Sequence, residues 1–541
     1  MFNFMASSKK IFVMFRLLFL FIILISQPAC EMLGVQDRYP LITAAQNDDI
    51  IKAKEFLKKN DDINYVNEKG EFALLNASLN GNLKMVQLLI ENGADINLSN
   101  HLGMTSIMAA VSNGNEDVVN FLIDNGADLA STNEKGLSAL HIAIMKKNQS
   151  LLQLLIDNNA PISGEREDWI SPLYLAVKNG NREAADILIA NNADLDRKDK
   201  SGSTALHMAA RKANYELLIL LLEKGADIHI KNAREEDAFL VFAGTDYAEI
   251  MNTVFERVKD TKKEFGAENA DDEDHQESYA LIMLLKVLAI MDPEYDTKQK
   301  KEYFSEVLEN STLSIEISEE EFDSVIEKLK TDYFLIARAF LENGVDVNAA
   351  DRESRSAIMK ICRHDNRVST KFKDKAIPLK TDVEKRFNKA FKTVENIYKV
   401  IIQLFIDAGA DVNLVDSQGR TALLAVCGNG NSDFAEILLE SGADVNRADN
   451  EGWTPLISAV SAENIHISEL LISNGANVNA ANSFGETALL KAVYRKNEPL
   501  VRLLLKNGAN VGIKNSRGDS PLGVAQKKGY SEIVSMLESG E

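Results

Sequence analysis

The residues of this 541-residue chain whose chemistry could reach beyond structure are seven histidines, three cysteines and one acidic run. Asp271, Asp272, Glu273 and Asp274 stand side by side and could attract calcium. A calcium loop of the EF-hand kind needs oxygen ligands at alternate positions, a turn glycine and a closing glutamate, and none of these follows. A solvated acidic loop is the expectation. The histidines (His101, His141, His207, His229, His275, His364 and His466) do not converge, and none pairs with cysteine at zinc-ligand spacing. No glycine-rich phosphate loop or hydrolase elbow occurs either. The sequence therefore predicts no catalytic residue, no cofactor and no metal ligand, leaving an enzyme only as a minor alternative within residues 247–332. Cys362 and Cys427 each lie eleven residues after an aspartate, Asp351 and Asp416, that opens a repeated pattern. That shared register predicts two buried core thiols. A disulfide between them is disfavoured, because packed helices lie roughly 8–10 Å apart.

Cys30 is of another kind. Lys9 and Lys10 precede an apolar stretch, residues 11–25, broken only by Arg16, and Ser26, Gln27, Pro28, Ala29 and Cys30 follow. A basic head, an apolar run and a small residue before a break form an export signal. Cys30 after Ala29 resembles a bacterial lipoprotein cleavage site, which implies lipidation of Cys30. Gln27 and Pro28 depart from that pattern, so an uncleaved membrane anchor and ordinary secretion stay open beside it.

The elements that position everything else keep a strict beat. Asn67, Asn100, Asn133, Arg166, Asp199 and Asn232 stand 33 residues apart, and the beat returns at Asp416, Asp449, Asn482 and Asn515. Fixed periods of this length mark stacked solenoid repeats. Each repeat opens with turn chemistry, as in Asn67 with Gly70, since glycine supplies the positive φ a tight turn needs. A hydroxyl residue follows, often with proline behind it (Ser171–Pro172, Thr454–Pro455), which caps and starts a helix. Ala77, Ala110, Ala143, Ala176 and Ala209 keep the register and let neighbouring helices approach closely. A second apolar run closes at Gly93, Gly126, Gly225, Gly344, Gly409, Gly442, Gly475 and Gly508, where a helix end favours a left-handed residue. Each repeat thus reads turn, short helix, loop, short helix.

These residues resemble the ankyrin repeat: Thr-Ala-Leu-His-Met-Ala-Ala at 204–210 and Gly-Ala-Asp-Val-Asn at 409–413 are close to its pattern. The resemblance covers about residues 39–541 in about twelve repeats. It implies an all-α solenoid of paired antiparallel helices with hairpin-like fingers, protein recognition by fingers and inner helices, and a structural role for His141 and His207. Departures are plain: Trp169 replaces a turn glycine, Asn159 and Asn192 replace closing glycines, and the repeat opening at Asn232 loses its glycine and alanine.

The beat stumbles twice. From Asn232 to Asp351 there are 119 residues, 86 beyond one period, and from Asp351 to Asp416 there are 65, 32 beyond it. Both excesses enter between the two helices of consecutive repeats, and insertions so placed often mark a binding face. Residues 247–332 carry 23 acidic and 10 basic side chains, while residues 366–397 carry 9 basic and 4 acidic. Two alternatives remain: helical insertions packed on each other by charge complementarity, or independent solvated excursions.

The expected organisation is a signal peptide or anchor (1–29), a spacer (30–38), repeats (39–246), an acidic helical insertion (247–332), repeat elements (333–365), a basic insertion (366–397) and repeats (398–541). A net charge of −21 argues against non-specific nucleic-acid binding. The residue four places after each opener should stand exposed on its finger. That rule singles out Met104, Leu137, Ile170 and Trp453 as partner-binding candidates, with Phe484 and Tyr494 nearby. The resulting expectation is a monomeric, non-catalytic scaffold binding unknown protein partners, exported to the bacterial cell envelope and held at a membrane by its N-terminus. A secreted effector acting on host proteins is the alternative.

Overall fold

The computed structural model describes residues 39–59, 62–163, 170–245, 319–363 and 396–540. They form two compact units, Met1–Glu165 and Arg166–Glu541, called here the N-terminal and C-terminal blocks. The described part of each is a stack of short helix pairs, with inner helix on inner helix and outer on outer. Among the described residues the only β-type pairing is three isolated bridges, such as Ser99 with Thr105. The N-terminal segment read as an export signal, with Cys30, and most of both insertions lie outside the described residues.

A repeat begins with a finger whose turn the opening residue builds itself. The Asn67 side chain accepts hydrogen bonds from the backbone N–H groups of Lys69 and Glu71, both at 2.9 Å, and the Glu71 carbonyl accepts from Asn67 N–H. Such Asx turns replace the pairing the backbone would otherwise lack. The inner helix then starts on a hydroxyl cap: Thr454 Oγ1 accepts from Ile457 N–H at 3.2 Å, and Pro455 occupies the first turn. The outer helix starts on an asparagine, as where Asn82 accepts from Met85 N–H at 3.0 Å. It ends in a left-handed residue, Gly93 at φ +90°, for which Asn159 (φ +65°) and Asn192 (φ +64°) substitute. Asparagine is the residue after glycine that best tolerates this region.

The register alanines Ala77, Ala110 and Ala143 in the N-terminal block, and Ala176 and Ala209 in the C-terminal block, are completely buried. In the three repeats around the insertions that position becomes Phe242, Ile361 and Val426. An aromatic core grows there instead. Phe239 meets Phe340 and Phe405 edge-on, with centroids 5.7 and 4.9 Å away, and Phe242 lies 5.4 Å from Tyr333. Edge-to-face rings add specific attraction to the large apolar area they bury.

The insertions leave the fingers stacked. Arg352 N–H donates to the Arg234 carbonyl at 3.0 Å, and Ser417 N–H to the Glu353 carbonyl at 2.9 Å, so three fingers stay in register across both interruptions. The helical boundaries do shift. Residues 319–332, expected in the acidic insertion, belong to one 24-residue helix, Glu319–Glu342, which continues into the outer helix of that repeat. No glycine or proline interrupts it, so the helix runs through position 332. Likewise residues 396–397 are already helical, and Ile397 is buried in the stack rather than being part of the basic excursion.

Candidate protein-binding groove

Three positions of each repeat decide what the inner-helix face offers: four, nine and twelve residues after the opener. In the repeats opening at Asp351, Asp416 and Asp449 they read Arg355, Lys360 and Arg363; Arg420, Ala425 and Gly428; Trp453, Ser458 and Ser461. Large charged side chains thus give way to small ones, and then to a tryptophan wall. The gap is a groove of about 630 Å³ whose lining includes Arg363, Asp416, Arg420, Ala425, Gly428, Asp449, Trp453 and Ser458. Gly428 keeps the floor low: a Cβ there would come within 3.3 Å of Ser458 Oγ.

Its charged end is anchored below the surface. Lys360, 9% exposed, sits between Glu236 (2.5 Å) and Asp351 (3.2 Å), both equally buried. Arg355 closes on Asp351 at 2.7 Å, and Arg420 on Asp416 at 2.8 Å. Burial alone would raise these carboxyl groups. Hydrogen bonds from Lys360 and Asn232 at Glu236, and from side chain and backbone at Asp351 and Asp416, outweigh it with the nearby cations and hold all three below the usual carboxylate range. Arg363 is the exception among the cations: it reaches Asp416 at only 3.3 Å, and burial together with Arg420 and Arg355 pulls its pKa down.

Profiles described as ankyrin repeats in three copies match residues 11–100, 77–166, 140–232 and 391–482, together more than half of the chain. The chain belongs to the ankyrin-repeat family. A second ankyrin profile, of many copies, matches residues 471–525. Among solved structures the chain is similar to the ankyrin repeat domain of Bcl-3, described as a unique member of the IkappaB protein family. Identity there is 26%, covering 37% of this chain and 92% of that one, with a TM-score of 0.35. No curated protein matches.

Within this ankyrin stack the surface candidates separate. Trp453 lines the groove, half-buried, with Lys491 Nζ 4.8 Å above its ring and Lys491 paired to Glu486 at 2.5 Å. The Tyr494 hydroxyl donates to Asp519 at 3.0 Å and accepts from Asn515 at 3.1 Å, so its polar end is occupied within the stack. Phe484 is 52% exposed on its finger. Met104 and Leu137 in the N-terminal block, and Ile170 in the C-terminal block, are half-buried rather than exposed. Met104 sulfur accepts from Asn133 Nδ2 at 3.7 Å, sealing one finger against the next. The reason is general to the repeat. The carbonyl four places after the opener closes the finger turn, as in Asp449 N–H to the Trp453 carbonyl at 3.1 Å, so that side chain is turned back toward the stack. The exposed finger position is two after the opener, where Leu102 is 60% exposed in the same repeat as Met104.

The histidines and cysteines of the repeat register are structural. His141 Nδ1 lies 2.8 Å from Ser138 Oγ at a helix cap, and His207 Nε2 lies 3.0 Å from the Glu236 carbonyl. Burial lowers the pKa of His207. Cys362 and Cys427 are buried free thiols whose pKa burial raises far above the ordinary range, which removes thiolate reactivity. Among the described residues, no His, Cys, Asp and Glu side chains come together as a metal site requires. What sequence reading missed was the groove, whose signal is the succession Arg363, Gly428, Ser461 and Ala425, Ser458 at two fixed positions of the repeat.

Proposed function

We propose that this ankyrin-repeat chain is a non-catalytic scaffold that holds a protein partner in the groove between Arg363 and Trp453. The observation carrying this reading is the groove itself: small residues at Ala425, Gly428 and Ser458 open about 630 Å³ beside an aromatic wall. Grooves that combine an apolar wall with a few fixed polar groups are where chains recognise ligands. The N-terminal residues support the cellular half of the proposal, export to the bacterial envelope with a lipid on Cys30. Lys9, Lys10, the apolar run and Ala29–Cys30 supply the order of features such a signal needs.

One preparation tests both halves. Partners cross-linked to the mature protein in cells should be lost when Ser458→Phe fills the groove, while the helical signal of the variant is unchanged. Partners that persist at wild-type yield would exclude the groove. The intact mass of the N-terminal peptide should begin at Cys30 with added acyl mass. A peptide retaining residues 1–29, or one starting at an unmodified residue, would remove the lipid tether.

A further inference from the structure

Building on that groove, we infer that its occupant is an extended, acidic segment of the partner protein. It sets a carboxylate side chain against Arg363 and a flat apolar side chain against Trp453.

The cation comes first. Arg363 and Arg420 line this end of the groove with Asp416, and the pair Arg355–Asp351 belongs to the preceding finger outside the lining. Asp351 is taken by Arg355 at 2.7 Å and by Lys360 at 3.2 Å. Arg420 holds Asp416 Oδ2 through both Nε (3.0 Å) and Nη2 (2.8 Å), and Arg363 approaches that same oxygen at 3.3 Å. A guanidinium carries five donors in a planar fork that fits a carboxylate in two-point fashion. Arg363 spends one of them on a shared acceptor. It is about one-third exposed and lines the groove, so an incoming carboxylate can complete it.

The apolar contact lies two repeats further on. Lys491 covers the Trp453 ring but does not line the groove, whereas Trp453 does. Asp449 and Glu451 stand on the finger beside Trp453 and repel a second carboxylate there. An acidic side chain is therefore admitted at the Arg363 end only, which sets the direction of the segment. Packed helices lie roughly 8–10 Å apart, so two repeats span roughly 16–20 Å. An extended chain rising about 3.3 Å per residue covers that in about five or six residues.

The test is selection of phage-displayed dodecapeptides on the folded full chain, followed by affinity measurements on a selected peptide. Asp or Glu should be enriched about five or six positions from Trp, Tyr, Phe or Leu, consistent with the estimated span. Affinity should fall about tenfold or more with Arg363→Gln, recover in part with Arg363→Lys, and weaken as salt is raised. Replacing the peptide's Glu by Gln against the wild-type protein gives the same reading should Arg363→Gln fail to fold. A consensus without the acid, or with a basic residue in its place, overturns the inference, as does an affinity indifferent to both changes. Binders blocked by Ser458→Phe yet indifferent to Arg363→Gln sink the acidic segment alone. A library that yields no binder sensitive to Ser458→Phe sinks the groove with it.

Discussion

The two blocks carry different chemistry on the same repeat. In the N-terminal block the positions nine and twelve after the opener are neutral: Asn76 and Leu79, Ala109 and Ser112, Ile142 and Met145. Leu79 and Met145 are 45% and 52% exposed, and neighbouring repeats are tied there by amides, such as Asn113 Nδ2 to the Leu79 carbonyl at 2.7 Å. In the C-terminal block those positions are mixed: Ala425, Gly428, Ser458 and Ser461 are small, while Lys360, Arg363 and Lys491 are tied by ions to Glu236, Asp351, Asp416 and Glu486. The difference teaches which positions the stack needs. Turn, cap and alanine register recur in both blocks, while positions four, nine and twelve vary in charge and size. Recognition can be rewritten there without rebuilding the fold.

The sharpest way to break the contrast is to remove the buried cation and put there the neutral chemistry found at the same position of other repeats. Lys360→Met copies Met208, the equivalent residue two repeats earlier. It leaves Glu236 and Asp351 as buried carboxylates without their shared cation, which costs about 3–5 kcal/mol. A fall in the urea midpoint of the C-terminal transition should show this. Adding Glu236→Ser, the residue that Ser203 supplies in the preceding repeat, should recover a large part of the loss. A double variant no more stable than the single would mean that the triad is not the source.

Acid should divide the blocks next. Glu236, Asp351, Asp416 and Asp199 are all held below their usual range in the fold. A carboxyl whose folded pKa is depressed adds stability above its unfolded value, about 4, and loses it as pH falls through the folded value. Glu486 is held low in the same way, whereas Asp237, raised by burial, works in the opposite sense, one group against five. The unfolding midpoint of the C-terminal block should therefore drop between neutral pH and pH about 3, and the Glu236→Ser/Lys360→Met variant should show a flatter profile. Parallel profiles for that variant and the wild type would detach the acid sensitivity from the network.

Much of this architecture was legible because it rests on local backbone demands. Gly93 needs its left-handed φ whatever surrounds it, and Ala77 is small because a neighbouring helix is close. The groove was not legible in the same way. Lys360 finds Glu236 across 124 residues and an insertion, and Ala425, Gly428 and Ser458 make a floor only once three repeats are superposed. Position four looks like finger tip in sequence, whereas its carbonyl closes the turn, so Met104 and Trp453 are half-buried instead of exposed. A second periodic asparagine follows the same local logic: Asn82, Asn115, Asn148, Asn181 and Asn214 start the outer helices.

The smallest effect concerns the turn that both blocks share, and it should change sign between them. Gly103 in the N-terminal block has φ +72°, and a Cβ there would lie 2.8 Å from Asn133 Cα on the next finger. Gly103→Ala therefore meets both an unfavourable backbone region and a backbone clash, at a cost of about 1–2 kcal/mol from the left-handed conformation alone. In the two repeats that bear insertions, the same turn position is held by Glu235 (φ +59°) and Ser354 (φ +61°). Glycine there would relieve that strain but loosen the unfolded chain, which opposes it by about 0.4–1 kcal/mol. The balance favours the folded state, so Glu235→Gly and Ser354→Gly should each stabilise by about 0.5–1 kcal/mol. Chemical denaturation of the three single variants decides it. Should Glu235→Gly destabilise, its side chain must contribute more to the finger than its strained turn costs. The insertion-bearing repeats would then keep these residues for binding within the stack, not as tolerated departures from glycine.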